Sequence, residues 1–382
     1  REPGLTHKAT INSESKAAVA GGITSFIEMP NTIPQTTTIN ELNKKFEIAH
    51  KSSYANYSFM FGATNSNLDE IKKINKNEVA ALKIFLGSST GDMLVDNQQI
   101  LRDIFLSTDL IIVVHSEDEQ IINENLKKYK IKYNSNIPFD CHSKIRSEEA
   151  CLKSTKKIIK LAKETNARLH VFHLSTKLES LLFQNDIPLK EKKITSEVCV
   201  HHLWFSDKDY KDKQSFIKWN PAIKTEEDRD GLWDSLLDDR IDVIATDHAP
   251  HTLEEKSKPY LDCPSGGPLV QHALVSMIQH HLNNKISLEK IVTKMCHNPA
   301  ILFQISKRGY VREGYYADLV LIDINKSWTV NKDNILYKCN WSPFEGVQFD
   351  SKITHTIVNG KIVYENGLFN STLCGKKLTF SR

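Results

Sequence analysis

Short apolar runs and longer stretches with helical spacing alternate along the first two thirds of the chain. The runs are rich in β-branched and aromatic residues, which is typical of buried strands, and capping residues precede the longer stretches. Strands are predicted at residues 23–28, 57–62, 81–86, 110–115, 168–174, 194–201 and 241–247. Helices are predicted between them, at residues 13–20, 40–49, 68–74, 97–106 and 147–165. The alternation predicts βαβ units and an α/β fold with a parallel sheet.

Two architectures accommodate such a sheet: a doubly wound open sheet and a closed (β/α)8 TIM-type barrel. We prefer the barrel, because polar residues follow several separate strands and would all reach one mouth only in a closed sheet. A closed barrel needs one strand more than the pattern supplies. We expect that first strand to precede Arg1, where the chain starts without a methionine and is expected to be truncated.

The pattern changes after residue 247. A loop at 264–268 contains two prolines and two glycines, and helices are predicted at 269–282 and 287–295. Short strands are then predicted at 319–323, 353–358 and 361–364, and the Asn359-Gly360 pair between the last two is a strong hairpin signal. We therefore predict a barrel domain over residues 1–305 and a small β module over residues 306–382, packed beside the barrel.

Composition narrows the class of protein. The 382 residues suffice for one large barrel and a small module, and the net charge of +3 comes without a basic stripe, which argues against nucleic-acid binding. The seven cysteines form no C-x-x-C pair, which argues against a disulfide framework and favours a reducing compartment. Neither a membrane span nor a signal peptide is visible. We expect a cytoplasmic protein, and a homodimer is left open.

Four side chains that could serve a metal site lie in separate predicted strands or directly after them: Lys83, His115, His173 and Asp247. Imidazole and carboxylate groups suit Zn²⁺ or a similar divalent ion. A single histidine would more simply be a buried core residue, but two at matched strand ends favour metal ligands. Asp247 could instead cap a helix. In a site it could bind a metal and also accept the proton of an attacking water. The set indicates a metal-dependent hydrolase.

Lys83 is unusual because it lies inside an apolar strand. Burying an ammonium group is costly and lowers its pKa, which yields a neutral, reactive amine. Carbon dioxide can convert such an amine to a carbamate that bridges two metal ions. The simpler interpretation is a lysine whose amino group reaches the barrel rim. For the His201-His202 pair we favour packing or support of the site, and we expect Lys224, Arg229 and residues 254–258 to be solvated.

Several blocks resemble the dihydroorotases of the cyclic amidohydrolase superfamily. The resemblance covers essentially the whole chain, and Thr246-Asp247-His248-Ala249-Pro250-His251 is its most specific block. The other matching blocks are residues 1–4 (Arg-Glu-Pro-Gly), 29–32 (Met-Pro-Asn-Thr), 83–91, 197–203, 218–222, 298–300 and 313–320.

The resemblance implies reversible hydrolysis of L-dihydroorotate to N-carbamoyl-L-aspartate in pyrimidine biosynthesis, with this small-molecule pair as the binding partner. Two Zn²⁺ ions per subunit are implied, bridged by N6-carboxylated Lys83. His115 and His173 would hold the second ion and Asp247 the first. A bridging hydroxide would attack the ring carbonyl, and Asp247 would carry its proton to the leaving nitrogen. For the substrate, a carboxylate contact is implied for Arg1, Asn31 and His251, and a ring contact for Asn220.

The chain departs from the family pattern at three places. The His-x-His pair that precedes the Arg-Glu-Pro-Gly block in the family is absent from the given chain, so we expect an incomplete first metal shell and doubtful activity of this chain. Residues 220–224 replace a commoner Asn-Pro-Pro-Leu-Arg, and residues 265–269 differ from the usual phenylalanine-glycine loop.

Two other interpretations stay open. One is a dihydropyrimidinase, hydantoinase or allantoinase, for which Arg1 is the discriminator, because an uncharged ring needs no cation there. The other is a non-catalytic paralogue that acts as a scaffold. Within the enzyme hypothesis, the small residues Ser88 to Gly91 are predicted to form a mobile lid.

Overall fold

The predicted strands form parallel sheets in the computed structural model, which describes residues 1–87, 93–370 and 373–382. The lid predicted at Ser88 to Gly91 lies outside the described residues. In chain order β1 to β8, the strands are Ser25–Glu28, Asn56–Phe59, Phe61–Gly62, Leu82–Phe85, Ile112–His115, Leu169–Val171, Ile194–Cys199 and Val243–Ala245. Only Met60 separates β2 from β3, so these two segments occupy the single strand predicted at 57–62.

The strand order distinguishes the barrel from the open sheet. β1 pairs with β2, and β3 to β8 pair consecutively, all of them parallel. A doubly wound sheet would reverse its order at a switch point. Here each strand lies beside the next one in the chain, as in a TIM-type barrel, so the predicted architecture is confirmed. The additional barrel strand that we expect before Arg1 stays a prediction.

Helices alternate with the strands and surround them. In chain order α1 to α15, the described helices are Ile11–Ala20, Ile39–Ser52, Leu68–Ile71, Gln98–Ser107, Glu119–Tyr133, His142–Ile145, Glu148–Thr165, Lys177–Ser180, Val200–Trp204, Tyr210–Lys213, Glu226–Leu237, Leu253–Lys256, Ala273–Leu282, Leu288–Val292 and Asn298–Leu302. Shorter 3₁₀ turns lie at Phe139–Cys141, Asp207–Asp209 and Gln214–Ile217, and a π turn at Thr293–His297. None of the described helices is both long and apolar enough to cross a membrane.

Local sequence explains where the larger helices begin and end. Thr10 accepts a hydrogen bond from the backbone of Ser13, so α1 begins at Ile11, two residues before its predicted start. Ser147 caps α7 in the same way through the backbone of Ala150, and Asn166 ends that helix in the left-handed conformation. The apolar faces of these helices pack on the barrel strands, whose own residues, such as those of β5, are almost fully buried.

The C-terminal β module is present as predicted. Strands β9 (Leu319–Asp323), β12 (Lys352–Val358), β13 (Lys361–Glu365) and β14 (Leu368–Phe369) form an antiparallel sheet in the order β14-β13-β12-β9. Asn359 and Gly360 join β12 to β13 with φ values of 53° and 80°, as a tight hairpin turn requires. Two short strands that lie between β9 and β12 in the sequence, β10 (Trp328–Thr329) and β11 (Gln348–Phe349), form a separate antiparallel pair.

Beyond the module, the last residues return to the barrel. The backbone of Tyr57 in β2 donates to Lys376 O (3.0 Å) and accepts from Leu378 N (2.8 Å). Arg382 donates to the carbonyl of Val79 at 2.8 Å. The domain boundary at 305/306 stays a prediction, and the described contacts show that residues 376–382 pack on the barrel itself.

Candidate active site

Three of the predicted metal-site residues lie at or just beyond the carboxyl ends of barrel strands, and the fourth, Lys83, lies inside a strand. Lys83 lies in β4 and His115 ends β5, whereas His173 and Asp247 each follow a strand by two residues, β6 and β8 respectively. Lys83 is only 1% exposed, and both histidines are buried. In a parallel α/β barrel this is the end that carries the chemistry.

Two of these residues have a strained backbone. His173 has a φ of 38° and Asp247 a φ of 45°, in the left-handed region that non-glycine residues adopt at a cost of about 1–3 kcal/mol. Such strain persists where the surrounding structure enforces it, and it clusters at functional sites. Here it coincides with two residues that the sequence singles out for chemistry.

The two histidines face each other. His115 Nδ1 lies 3.1 Å from His173 Nε2, and the ring centroids are 4.9 Å apart. Burial lowers the pKa of His115 and holds that of His173 well below its ordinary value, and the charge of Lys83 lowers both further. Both imidazoles are therefore neutral near neutral pH, as metal ligation requires.

A buried carboxylate orients His115. Glu117 is fully buried, its Oε2 lies 2.9 Å from His115 Nε2, and Arg146 Nη2 lies 3.2 Å from the same oxygen. Burial alone would raise the pKa of Glu117, but Arg146 and His115 lower it to about 2. Because a carboxylate only accepts protons, its position 2.9 Å from Nε2 favours the tautomer with the ring proton on that nitrogen. The Nδ1 lone pair of His115 then faces His173.

Lys83 lies between two aromatic rings. Its Nζ is 4.0 Å from the centroid of Phe172 and 4.8 Å from that of Phe85. Burial lowers the pKa of Lys83 to about 7, against the opposing influence of Glu197 and Asp247. A substantial fraction of the amine is therefore neutral near pH 7, and only the neutral amine can react with carbon dioxide.

Asp247 belongs to the same electrostatic cluster. Burial, with a smaller contribution from Glu197, raises its pKa to about 7 against the opposing influence of Lys83 and Arg1. Lys83 thus acts electrostatically on Asp247 and on both histidines. His115 and His173 are in direct contact, and Lys83 lies within electrostatic range of them and of Asp247.

A cationic corner adjoins this cluster. Arg1 Nη2 lies 3.0 Å from His251 Nε2, and Arg1 Nε donates to Pro250 O at 3.0 Å. His251 Nε2 is also 3.0 Å from Ser265 O, and Lys8 Nζ lies 3.1 Å from His251 Nδ1. Arg1 and His251 are therefore neighbours, and Arg1 is close enough to Asp247 to lower its pKa.

The two predicted asparagines, Asn31 and Asn220, lie in segments that are hydrogen-bonded to the segments around Arg1 and His251. Asn31 is half-buried in the loop after β1, and the backbone of Ile33 in that loop donates to Pro3 O at 3.2 Å, next to the Arg1 turn. Asn220 follows a stretch in which Lys218 O accepts from Gly266 N at 2.8 Å. That bond links the segment that contains Asn220 to the loop whose Ser265 carbonyl contacts His251.

The structure corrects one expectation about charged residues and adds several site residues. Lys224 and Lys256 were expected to be solvated, but both are buried, so that expectation is wrong for them. Sequence reasoning also missed Glu117, Arg146, Lys8 and Glu197. Of these, only Glu117 had a signal, since it is an acid two residues after a histidine at a strand end.

The His201-His202 pair supports the site by packing. His201 stacks on Trp219, with ring centroids 4.5 Å apart and an interplanar angle of 19°. His202 Nε2 lies 3.2 Å from Pro221 O. Both contacts brace the segment that carries Asn220.

The whole chain is similar to known hydrolases in sequence. The model of the amidohydrolase family matches residues 2–363. A dihydroorotase of Halobacterium salinarum is 32% identical over 349 residues, which is 91% of this chain and 79% of that protein. A dihydroorotase of Pyrococcus horikoshii is 33% identical over 366 residues, which is 94% of this chain and 77% of that protein. The chain belongs to the amidohydrolase family, within its dihydroorotase group.

Solved structures of the amidohydrolase family share the fold. An L-hydantoinase (dihydropyrimidinase) from Arthrobacter aurescens superposes with a TM-score of 0.92 at 25% identity, over 99% of this chain and 86% of that one. A dihydropyrimidinase from Brevibacillus agri gives a TM-score of 0.88 at 22% identity, over 98% of this chain and 85% of that one. These likenesses confirm the barrel and the module.

The amidohydrolase family implies a bound metal, and the donor chemistry at the histidine pair fits one. Two neutral imidazole nitrogens face each other there, and a carboxylated Lys83 would add oxygen ligands next to them. Among the described residues, no three His, Cys, Asp or Glu side chains gather as a ligand group. A full shell would therefore require the carbamate or other ligands in addition to the histidines.

Proposed function

We propose that this amidohydrolase catalyses the reversible hydrolysis of the cyclic amide of L-dihydroorotate to N-carbamoyl-L-aspartate. The observation that carries the proposal is the cationic corner of Arg1 and His251, placed beside the cluster of Lys83 and Asp247. A substrate with a free carboxylate next to its reacting amide matches this pairing. The identity of 30–33% to several dihydroorotases supports the same substrate.

In this proposal Asp247 is the proton carrier. A pKa of about 7 lets its carboxylate accept a proton from the water that attacks the ring carbonyl. The water oxygen bonds to the carbonyl carbon, the ring C–N bond breaks, and Asp247 returns the proton to the leaving nitrogen. The reverse sequence closes the ring.

The other residues hold the reactants. Arg1 and His251 bind the substrate carboxylate, Asn31 supports that contact, and Asn220 contacts the ring. Carboxylated Lys83, His115, His173 and Asp247 would hold the two Zn²⁺ ions. When bound, the ions would supply polarisation of the carbonyl and activation of the water.

A second candidate function is hydrolysis of an uncharged ring, as in a dihydropyrimidinase or hydantoinase. The structural likeness to the L-hydantoinase (dihydropyrimidinase) favours it. Arg1 argues against it, because a cation beside an uncharged substrate gains no partner. A scaffold without catalysis would have no use for the strained, buried cluster around Lys83.

The test compares substrates on one protein preparation. Ring opening of dihydroorotate, dihydrouracil, hydantoin and allantoin is followed by chromatography, with metal content measured on the same sample. We expect dihydroorotate to be turned over with a kcat/KM at least about a hundredfold above the uncharged rings, since losing an anchored carboxylate contact costs several kcal/mol. Turnover of dihydrouracil without turnover of dihydroorotate would move the assignment to the second candidate.

A further inference from the structure

Lys8 is a buried cation behind His251 that the proposed reaction does not use. Its side chain is only 11% exposed, and its Nζ lies 2.8 Å from Glu255 Oε1 and 3.1 Å from His251 Nδ1. The loop before α1 brings it there from the opposite end of the barrel sequence. Such a residue needs an explanation, because burying an ammonium group is costly unless its protons are used.

The chemistry of the contact determines the tautomer of His251. A lysine ammonium only donates hydrogen bonds, so His251 Nδ1 has to accept. Burial lowers the pKa of His251 to about 2, and Arg1, Lys8 and Lys256 contribute, so the ring is neutral with a single proton. With Nδ1 accepting from Lys8, that proton lies on Nε2.

The Nε2 proton matters because of what surrounds it. His251 Nε2 lies 3.0 Å from Arg1 Nη2 and 3.0 Å from Ser265 O. With the proton on Nε2, the imidazole donates to Ser265 O when no substrate is bound, and a substrate oxyanion would take that proton in place of Ser265 O. In this form Nε2 cannot accept from Arg1, whose guanidinium also only donates. The two donors stay side by side and unpaired with each other. An oxyanion is the group that both can serve.

The other tautomer would close this corner. With the proton on Nδ1, the lone pair of Nε2 would accept a hydrogen bond from Arg1 Nη2. One N–H group of the guanidinium would then be bonded to His251 and would not be available to the substrate. Glu255 also faces His251 Nδ1, with its Oε2 3.5 Å away, and would favour that tautomer. Lys8 opposes it by donating to Nδ1 and by pairing with Glu255.

We propose that Lys8 is a positioning residue that holds His251 in its Nε2–H form, so that Arg1 and His251 both donate to the carboxylate of the substrate. The inference rests on the proposed function, in which that carboxylate belongs to dihydroorotate. Lys8 itself does not touch the substrate. It acts through the ring of His251.

The experiment combines a spectroscopic readout with kinetics. Lys8→Met removes the donor at similar length, and Lys8→Arg keeps a donor. The tautomer of His251 is read from ¹⁵N chemical shifts of histidine-labelled full-length protein, with His251→Gln used to assign the signal. We expect the wild type and Lys8→Arg to show protonated Nε2, and Lys8→Met to show a mixture or protonated Nδ1.

Kinetics should change in parallel. We expect Lys8→Met to raise the KM for dihydroorotate by about tenfold or more, with kcat changed by less than about threefold, which is the signature of lost ground-state binding. Lys8→Arg should restore most of the KM. Glu255→Gln is the matched control, because it removes the ion pair with Lys8 but leaves the donor to Nδ1, so the Nε2–H form should persist.

Two results would overturn the inference. One is an unchanged tautomer of His251 in folded Lys8→Met, as judged by its thermal unfolding. The other is a tautomer shift without a rise in the KM for dihydroorotate. If the wild type does not turn over dihydroorotate at all, the proposed function fails by that result, and the tautomer measurement still decides the role of Lys8.

Discussion

Lys83 shows how the barrel changes the chemistry of a single side chain. On a surface its amine would be protonated at neutral pH, but burial lowers its pKa to about 7. Asp247 moves in the opposite direction, to about 7, because burial disfavours its charge. Two groups that ordinarily differ by more than six pKa units are brought to the same range. Each can then lose or gain a proton under the same conditions.

Asp247 gives the most direct test of the chemistry. We expect Asp247→Asn to lower kcat by about 10²–10⁴-fold with KM changed only a few-fold, because an amide cannot accept the proton of the attacking water. Steady-state ring opening measures both constants. Asp333→Asn, an exposed acid in the module, should leave kcat unchanged. A kcat above a tenth of the wild-type value would contradict the assigned role.

Glu179, which lies outside the proposed active site, should make the stability of the fold depend on pH. Burial raises its pKa to about 7 from 4.5, although Thr155 and Thr176 donate hydrogen bonds to it. The unfolded chain releases this proton first, so the folded state loses stability as pH rises from about 4.5 to 7. Glu179→Gln escapes that loss.

The prediction for Glu179→Gln is therefore a difference between two pH values. Relative to wild type, its free energy of unfolding should rise by about 3 kcal/mol between pH 4.5 and pH 8. Urea unfolding at both pH values measures it. A mutant-minus-wild-type difference that does not change with pH would contradict the raised pKa.

The sequence indicated the reactive residues but not the groups that support them. Lys83, His115, His173 and Asp247 were visible because each interrupts or follows an apolar run. Lys8 and Arg146 were not, because their burial depends on residues distant in the chain, such as His251, which follows Lys8 by 243 positions. A polar stretch has no local mark that tells whether tertiary structure will cover it.

At the scale of elements, the loop between α12 and α13 shows the same limit. Lys256 is 1% exposed, and its Nζ donates to Pro264 O and Gly266 O, both at 3.0 Å. Lys218 holds the same loop through Tyr260 O at 2.7 Å. Two ammonium groups thus bind the carbonyls of the loop that carries Ser265, the partner of His251. The sequence placed residues 254–258 in solvent because their composition is polar.

Lys256→Met tests this arrangement. It would remove the ammonium donor from the buried carbonyl oxygen of Gly266 and from that of Pro264, which should lower the free energy of unfolding by about 2 kcal/mol. Loss of loop position should also raise the KM for dihydroorotate, because Ser265 O contacts His251. Chemical unfolding and steady-state kinetics measure the two effects. Lys258→Met, in the same segment but exposed, is the control and should change neither.

Strands were the most predictable elements. All seven predicted positions are occupied, because an apolar run bounded by polar residues has few other ways to be buried. Their ends were less predictable: the run at 110–115 becomes β5 at Ile112–His115, and Met60 interrupts the strand predicted at 57–62. Strand ends depend on pairing partners, which an apolar run does not specify.

At the scale of the whole molecule, the module and the barrel are joined by the end of the chain. Leu378 and Phe380 are buried and pack in one cluster with Met60, Ala80 and Val113 of the barrel. The sequence predicted a small β module over 306–382 that packs beside the barrel. The contacts of residues 376–382 indicate that at least this segment is energetically part of the barrel.

Phe380→Ala tests that coupling. Truncating a buried phenylalanine should lower the free energy of unfolding by about 3–5 kcal/mol. We expect barrel and module to unfold in one transition at a lower temperature, seen by calorimetry. Leu368→Ala, whose side chain is exposed, is the control. A separate low-temperature transition that leaves the barrel unchanged would show that the two parts are independent.

The homodimer stays a prediction that sedimentation can decide.

The pairing of Tyr57 with residues 376–378 also has a consequence for synthesis. The neighbouring contact between Asn56 and Lys376 joins positions 320 residues apart. A ribosome must therefore synthesise the 320 residues that separate these positions before this part of the barrel wall can pair. Contacts so distant in sequence are slow to form, and the backbone groups of the early strands that bond to residues 376–378 stay unpaired until then. Chaperone dependence during translation should therefore concentrate on the segment around Tyr57.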